Sequence, residues 1–214
     1  MELSSIIYAG SKRLKAFVER HQNAIARALI RGDTTRDCGG VIVDDMFKLS
    51  GTFFHRVIGA NGRQRGEWLA DHNLIVDQGI LKMLGVMYFT DTKITAWYLS
   101  LFDGAANPAA NTTAANYAST MGEITSTTEG FSNATRPVWT PAAPAANIVT
   151  NSASKAAFTV VCTTSIDVTG GALISEATRG GTTGVLSSAS RFGSARELFN
   201  GETFELGYQI ALTN

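Results

Sequence analysis

A chain of 214 residues with 44% hydrophobic and 17% charged side chains can bury a sizeable core plus an extension, which excludes disorder driven by charge. Two cysteines exclude a disulfide framework, and no apolar run approaches 18 residues, so no helix is expected to span a membrane. The formal net charge is zero, but the bases are concentrated near the start.

Residues 4–30 carry a helical period. Leu14, Phe17, Val18, His21, Ile25, Ala28 and Leu29 recur at three- and four-residue spacing, with Lys15, Glu19 and Arg27 off that stripe. Gly10 interrupts the pattern and Gly32 supplies a stop. Between residues 12 and 36, seven bases oppose only Glu19 and Asp33. The pattern predicts a basic amphipathic arm over 1–36. Its docking residues would be Leu14, Phe17, Val18, Ile25 and Leu29, flanked by Arg13, Arg20 and Arg27, meeting an acidic partner. A helix packed on its own domain is the equal alternative. The stripe is thin and lacks Trp, so a membrane partner is not expected. Nor is a secretion signal, because residues 6–9 are too short an apolar core and the bases follow them.

Residues 33–40 form a polar break, the expected boundary of a β domain over 41–214. Residues 41–43 and 46–49 read as short strands, and residues 52–58 and 63–69 as a hairpin turned at Asn61-Gly62. Gly59, Gly62 and Gly66 lack the spacing of a nucleotide loop. Asp77 is placed to cap a short helix over 77–87 that carries Ile80, Leu81, Leu84 and Met87 inward. The next stretch, residues 96–104 (AWYLSLFDG), is apolar on both faces, with Trp97, Leu99 and Leu101 opposite Tyr98 and Phe102. It reads as a strand covered on both sides, near the centre of the domain.

Residues 107–128 are a loop-like run of Ala, Asn, Thr and Ser, too long to be a plain connection and too uncharged to grip nucleic acid. Pro137, Pro141 and Pro144 assign the strand around Trp139 to a sheet edge. The last third is the clearest β region. Phe158, Val160 and Cys162 alternate with polar neighbours, Gly170-Gly171 and Gly180-Gly181 punctuate short segments at 172–176, 185–189 and 196–199, and Asn200-Gly201 turns into a final strand. There Phe204, Leu206, Tyr208, Ile210 and Leu212 share one face. Many short strands between regular turns predict a mostly β fold, a jelly-roll or β-sandwich domain carrying the helical arm.

The residues that could carry chemistry are scattered. His21, His55 and His72 have no metal spacing, and Gly-x-Ser-x-Gly and Gly-Lys-Ser/Thr are absent. His72 beside Asp71 would need a third converging group, and Asp44-Asp45 point to opposite faces of a strand. Glu123, Glu129, Asp167, Glu176 and Glu202 define no acid pair from sequence. Arg179 and Arg191, between Gly/Ser-rich turns, are candidate contacts for a protein partner. No catalytic residue, cofactor, metal or small-molecule substrate is expected.

The order Asn73-Leu-Ile-Val, Gly79-Ile-Leu, Ala96-Trp-Tyr-Leu-Ser-Leu-Phe and Gly130-Phe-Ser-Asn-Ala-Thr-Arg-Pro resembles a group of small tailed-bacteriophage virion proteins. The motifs at 184–191 (GVLSSASR) and 200–208 (NGETFELGY) fit the same pattern, which covers residue 52 onward and leaves the basic arm outside. The resemblance implies a non-enzymatic virion component, a jelly-roll capsid cement or decoration protein that binds the major capsid protein and copies of itself as dimers or trimers. A neck, tail or fibre protein, with Trp139 exposed for a host glycan, is the alternative in the same setting. A glycan-active enzyme is the alternative from another class.

Overall fold

The computed structural model describes residues 34–37, 40–43 and 48–213. The arm expected over 1–36 lies, but for its last three residues, outside them. The chain divides between Lys48 and Leu49 into two compact units. In the first, β1 (Thr34–Asp37) and β2 (Gly40–Val43) pair antiparallel, Thr34 opposite Val43 and Asp37 opposite Gly40. Part of the expected polar break is therefore a strand.

The second unit is mostly β. Its first sheet starts with β3 (Lys48–Ile58) and β4 (Gln64–His72), joined through the expected turn: Gly59 N–H donates to Arg63 O, and Gly62 takes a φ of 76°. Along β3, Phe53, His55 and Val57 are buried while Thr52, Phe54 and Arg56 are half-buried, the period-two pattern of a strand with one face on the core. The remaining strands are β7 (Gly130–Phe131), β9 (Ile148–Thr150), β10 (Ala156–Val161) and β13 (Thr203–Thr213). The order is β4-β3-β13-β10-β7, with β9 also paired to β13. The final strand, at the chain's end in sequence, is thus central in the sheet. Arg56 on β3 and Glu205 on β13 pair across it at 2.6 Å.

The second sheet runs β5-β12-β11-β6-β8, where β5 is Leu74–Ile75, β6 Trp97–Phe102, β8 Val138–Trp139, β11 Ser165–Ile174 and β12 Leu186–Phe199. The two sheets share one core, to which β3, β10 and β13 contribute Phe53, Phe158 and Phe204, and β6, β11 and β12 contribute Leu99, Leu173 and Phe192. A second cluster covers the other face of the second sheet: Phe102, Ala172, Ile174, Leu186 and Ala189 pack against Val76, Ala114, Tyr117 and Met121. Val76 is the N-cap of α1 (Asp77–Tyr88), and Ala114, Tyr117 and Met121 are the buried face of α2 (Ala114–Met121). Strand β6 therefore has both faces covered, as its composition predicts, with Leu99 through Phe102 all buried. It is not central, however. It lies between β11 and the two-residue edge strand β8, whose flanking prolines stop the sheet there.

Three further expectations change. Residues 107–128 are not all loop, because Asn116 Oδ1 accepts the Thr113 N–H and starts α2. Gly170-Gly171 is no turn but the middle of β11, beside a bulge, where a Cβ on Gly170 would enter the Phe102 ring and the Ser190 carbonyl. The segments expected at 185–189 and 196–199 are one long strand, β12.

Candidate interaction surface

Glu123 and Arg136 lie at the centre of a buried polar network. Glu123 receives Arg136 through both oxygens, Ser100 Oγ at 2.6 Å and the Gly180 N–H at 2.8 Å, and Tyr117 OH donates to Ser100 Oγ at 3.0 Å. Burial and the Glu123 charge push the Tyr117 phenol far above its ordinary pKa, so it stays a neutral donor. Arg179, expected on a partner, turns inward: its guanidinium donates to the carbonyls of Phe131, Asn133, Ile124 and Ser126 at 2.6–2.9 Å. Only a sidechain with five fixed donors can close four carbonyls at once. Arg191 is exposed and donates to the Ala105 carbonyl. This constellation ties the segments around α2 to the second sheet.

The histidines separate in the same way. Asp71 does not pair with neighbouring His72 but accepts from His55 Nε2 at 3.0 Å and from the Gly193 N–H at 2.7 Å. His55 is fully buried and stacks on Phe192 and Phe204 at centroid distances of 4.1 and 5.3 Å. Burial holds its pKa below the ordinary 6.5, against the opposing pull of Asp71. Among the described residues no three His, Cys, Asp or Glu side chains gather as metal ligands. Trp139, which an exposed glycan platform would need, is buried and donates from Nε1 to Tyr208 O at 3.2 Å.

The most exposed large apolar side chains among the described residues gather on and just beyond one helix. Helix α1 lies on β12 through Gly79, the one buried residue of the helix, where any Cβ would run into the Ser187 backbone. Gln78 pins the first turn: its Oε1 accepts the N–H groups of Leu186 and Ala114 at 2.8 and 2.9 Å, while the Asp77 N–H donates to Ala110 O. Val76, not Asp77, is the N-cap, and no side chain caps it. Lys82 Nζ meets Asp91 Oδ2 at 3.0 Å near the other end.

This attachment turns the expected inward stripe outward. Leu81 is 67%, Met87 68% and Tyr88 77% exposed, with Ile80, Leu84 and Phe89 exposed beside them. At about 100° per residue, Ile80, Leu81, Leu84, Met87 and Tyr88 fall within an arc of about 120° opposite Gly79. Amphipathicity alone placed that arc on the core; the glycine was the signal that marks the true inner face, since only a side without Cβ atoms lets a helix lie so close to a strand. The docking residues expected from sequence, Leu14, Phe17, Val18, Ile25, Leu29, Arg13, Arg20 and Arg27, lie outside the described residues. Neither a family model, a curated protein nor a solved structure matches this chain.

Proposed function

We propose that this protein is a non-enzymatic structural component of a virion, a capsid cement or decoration protein of the jelly-roll class that holds the major capsid protein and further copies of itself. The observation that carries the reading is the outward stripe of α1, a rigid apolar surface that water disfavours and a protein neighbour would cover. The resemblance of residues 73–76, 79–81, 96–102, 130–137, 184–191 and 200–208 to tailed-phage virion proteins supplies the setting. A scaffold role is supported by two arginines bonded within the domain, Arg136 to Glu123 and Arg179 to four carbonyls.

Two surfaces would divide the work. The basic arm would meet acidic capsid surface, and the β domain would meet its own kind. Quantitative mass spectrometry of purified particles tests the reading against the major capsid protein. A ratio of one, or a simple fraction of one, is expected. A few copies per hundred would assign the chain to the neck, tail or fibre, and absence from particles would overturn the virion reading.

A further inference from the structure

We propose that the outward face of α1 is a self-association surface, on which a second copy of this chain lays its own α1 antiparallel about a two-fold axis. The proposal rests on the reading of this face as an assembly surface and not on the virion setting.

Area is the first argument. At about 200 Å² for a large side chain, the exposed parts of Ile80, Leu81, Leu84, Met87, Tyr88 and Phe89 offer on the order of 700 Å². That exceeds the largest apolar patch an ordinary monomer leaves in water. It is close to one partner's share of a standard interface.

Self-complementarity is the second. A two-fold interface brings the same patch from both copies together, so each end of the stripe must suit the other end. The stripe's polar groups sit at its two ends: the Asp77 carboxylate, on the same arc, and the Tyr88 hydroxyl, 11 residues later. Antiparallel packing sets each Tyr88 hydroxyl beside the partner's Asp77 as a donor to a carboxylate, while the leucines between them interdigitate. The two helix dipoles then also oppose each other. A parallel pair would instead place Asp77 against Asp77.

Pre-organisation is the third. Gln78 and Gly79 fix the first turn to β12, and at the other end the N–H groups of Phe89 and Asp91 both close on Gly85 O at 3.2 Å, so little order remains to be gained on contact.

Sedimentation velocity of the full chain, over about 1 to 100 µM, reaches the weak end of the affinities that interfaces of this size span, and a tighter pair sediments as a dimer throughout. A dimer is expected, and Leu81→Glu with Met87→Glu should weaken it about a hundredfold or more. Both side chains project into water, so at concentrations where both proteins are monomeric the melting temperature should stay unchanged, and the native chain should gain stability with concentration that the double variant lacks. Leu84 lies near the midpoint between Asp77 and Tyr88, hence near the axis. Leu84→Cys, combined with Cys38→Ser and with Cys162 buried, should give a disulfide-linked dimer under mild oxidation. A full chain that stays monomeric throughout, an association untouched by the two glutamates, or a Leu84→Cys chain that never cross-links would overturn the proposal. A monomer in solution that is stoichiometric on particles would overturn the dimer alone; a dimer absent from particles would overturn the virion reading alone.

Discussion

Arg136 meets Glu123 in a bidentate pair, Nε to Oε1 and Nη2 to Oε2 at 2.7 Å each, with both side chains 1% exposed. Neither ion can return to water while the domain is folded. Removing one partner strands the other, so Arg136→Met should cost about 3–5 kcal/mol in urea unfolding. The double change Glu123→Gln, Arg136→Met should recover part of that loss. Equal destabilisation by the single and double variants would argue against the pair.

Gly79→Ala tests the contact that orients α1. Its new Cβ would meet the Ser187 backbone, which cannot swing aside as a side chain can. A loss of about 1–3 kcal/mol is expected from such overpacking. Gly85→Ala would press on the Asp91 carboxylate, a movable group, and should be milder in the same melting assay.

Depth varies along one face of β6. Leu99 is fully buried between the sheets, whereas Trp97, two residues earlier, is only partly covered. Leu99→Ala should cost about 2–5 kcal/mol. Trp97→Ala should cost less despite its greater size. Denaturant midpoints of the two variants would rank them directly.

His55 should make stability depend on pH. Its folded pKa lies below the unfolded 6.5 because burial disfavours the imidazolium, so the unfolded chain takes up the proton first. The contribution is complete above pH 6.5 and is lost as pH falls from there toward the folded pKa. The urea midpoint should therefore drop between pH 7.5 and 5, and His55→Phe, which keeps the stacking on Phe192 and Phe204, should flatten that part of the profile. An unchanged slope would remove His55 as its source.

The arm carries a separate prediction. Phe17→Glu with Leu29→Glu breaks its apolar stripe while leaving the β domain's sequence intact. Occupancy on particles should fall, as read by mass spectrometry, with the melting transition of the β domain unmoved.

Patterns of period two were readable in this chain wherever one face of a strand meets the core: Phe158 and Val160 in β10, and Phe204, Leu206 and Tyr208 in β13, are all buried as their alternation predicts. Apolar character on both faces correctly marked β6. Position within the sheet was not readable, because strand order depends on pairings between residues far apart in sequence. Gly170 read as a turn because nothing local reveals that Phe102 would lie against it. Helix α1 was recognised, but its orientation was reversed, since periodicity reports that a stripe exists and not what covers it. Arg179 reads as a contact for a partner, and Glu123 as one of several scattered carboxylates, for the same reason: their partners are carbonyls and an arginine contributed by other segments.

The place of β13 between β3 and its other neighbours has a consequence for synthesis. β3 leaves the ribosome early, yet its inner neighbour is made only after residue 203. At about 5–20 residues per second, that interval is on the order of ten seconds. For its duration β3 presents an unpaired edge with Phe53 uncovered beside it, and β10, once residue 161 is made, adds a second with Phe158. The nascent chain is thus exposed to premature strand exchange with other nascent copies, and a holding chaperone at the ribosome exit would raise the yield of folded protein more than any aid given after release.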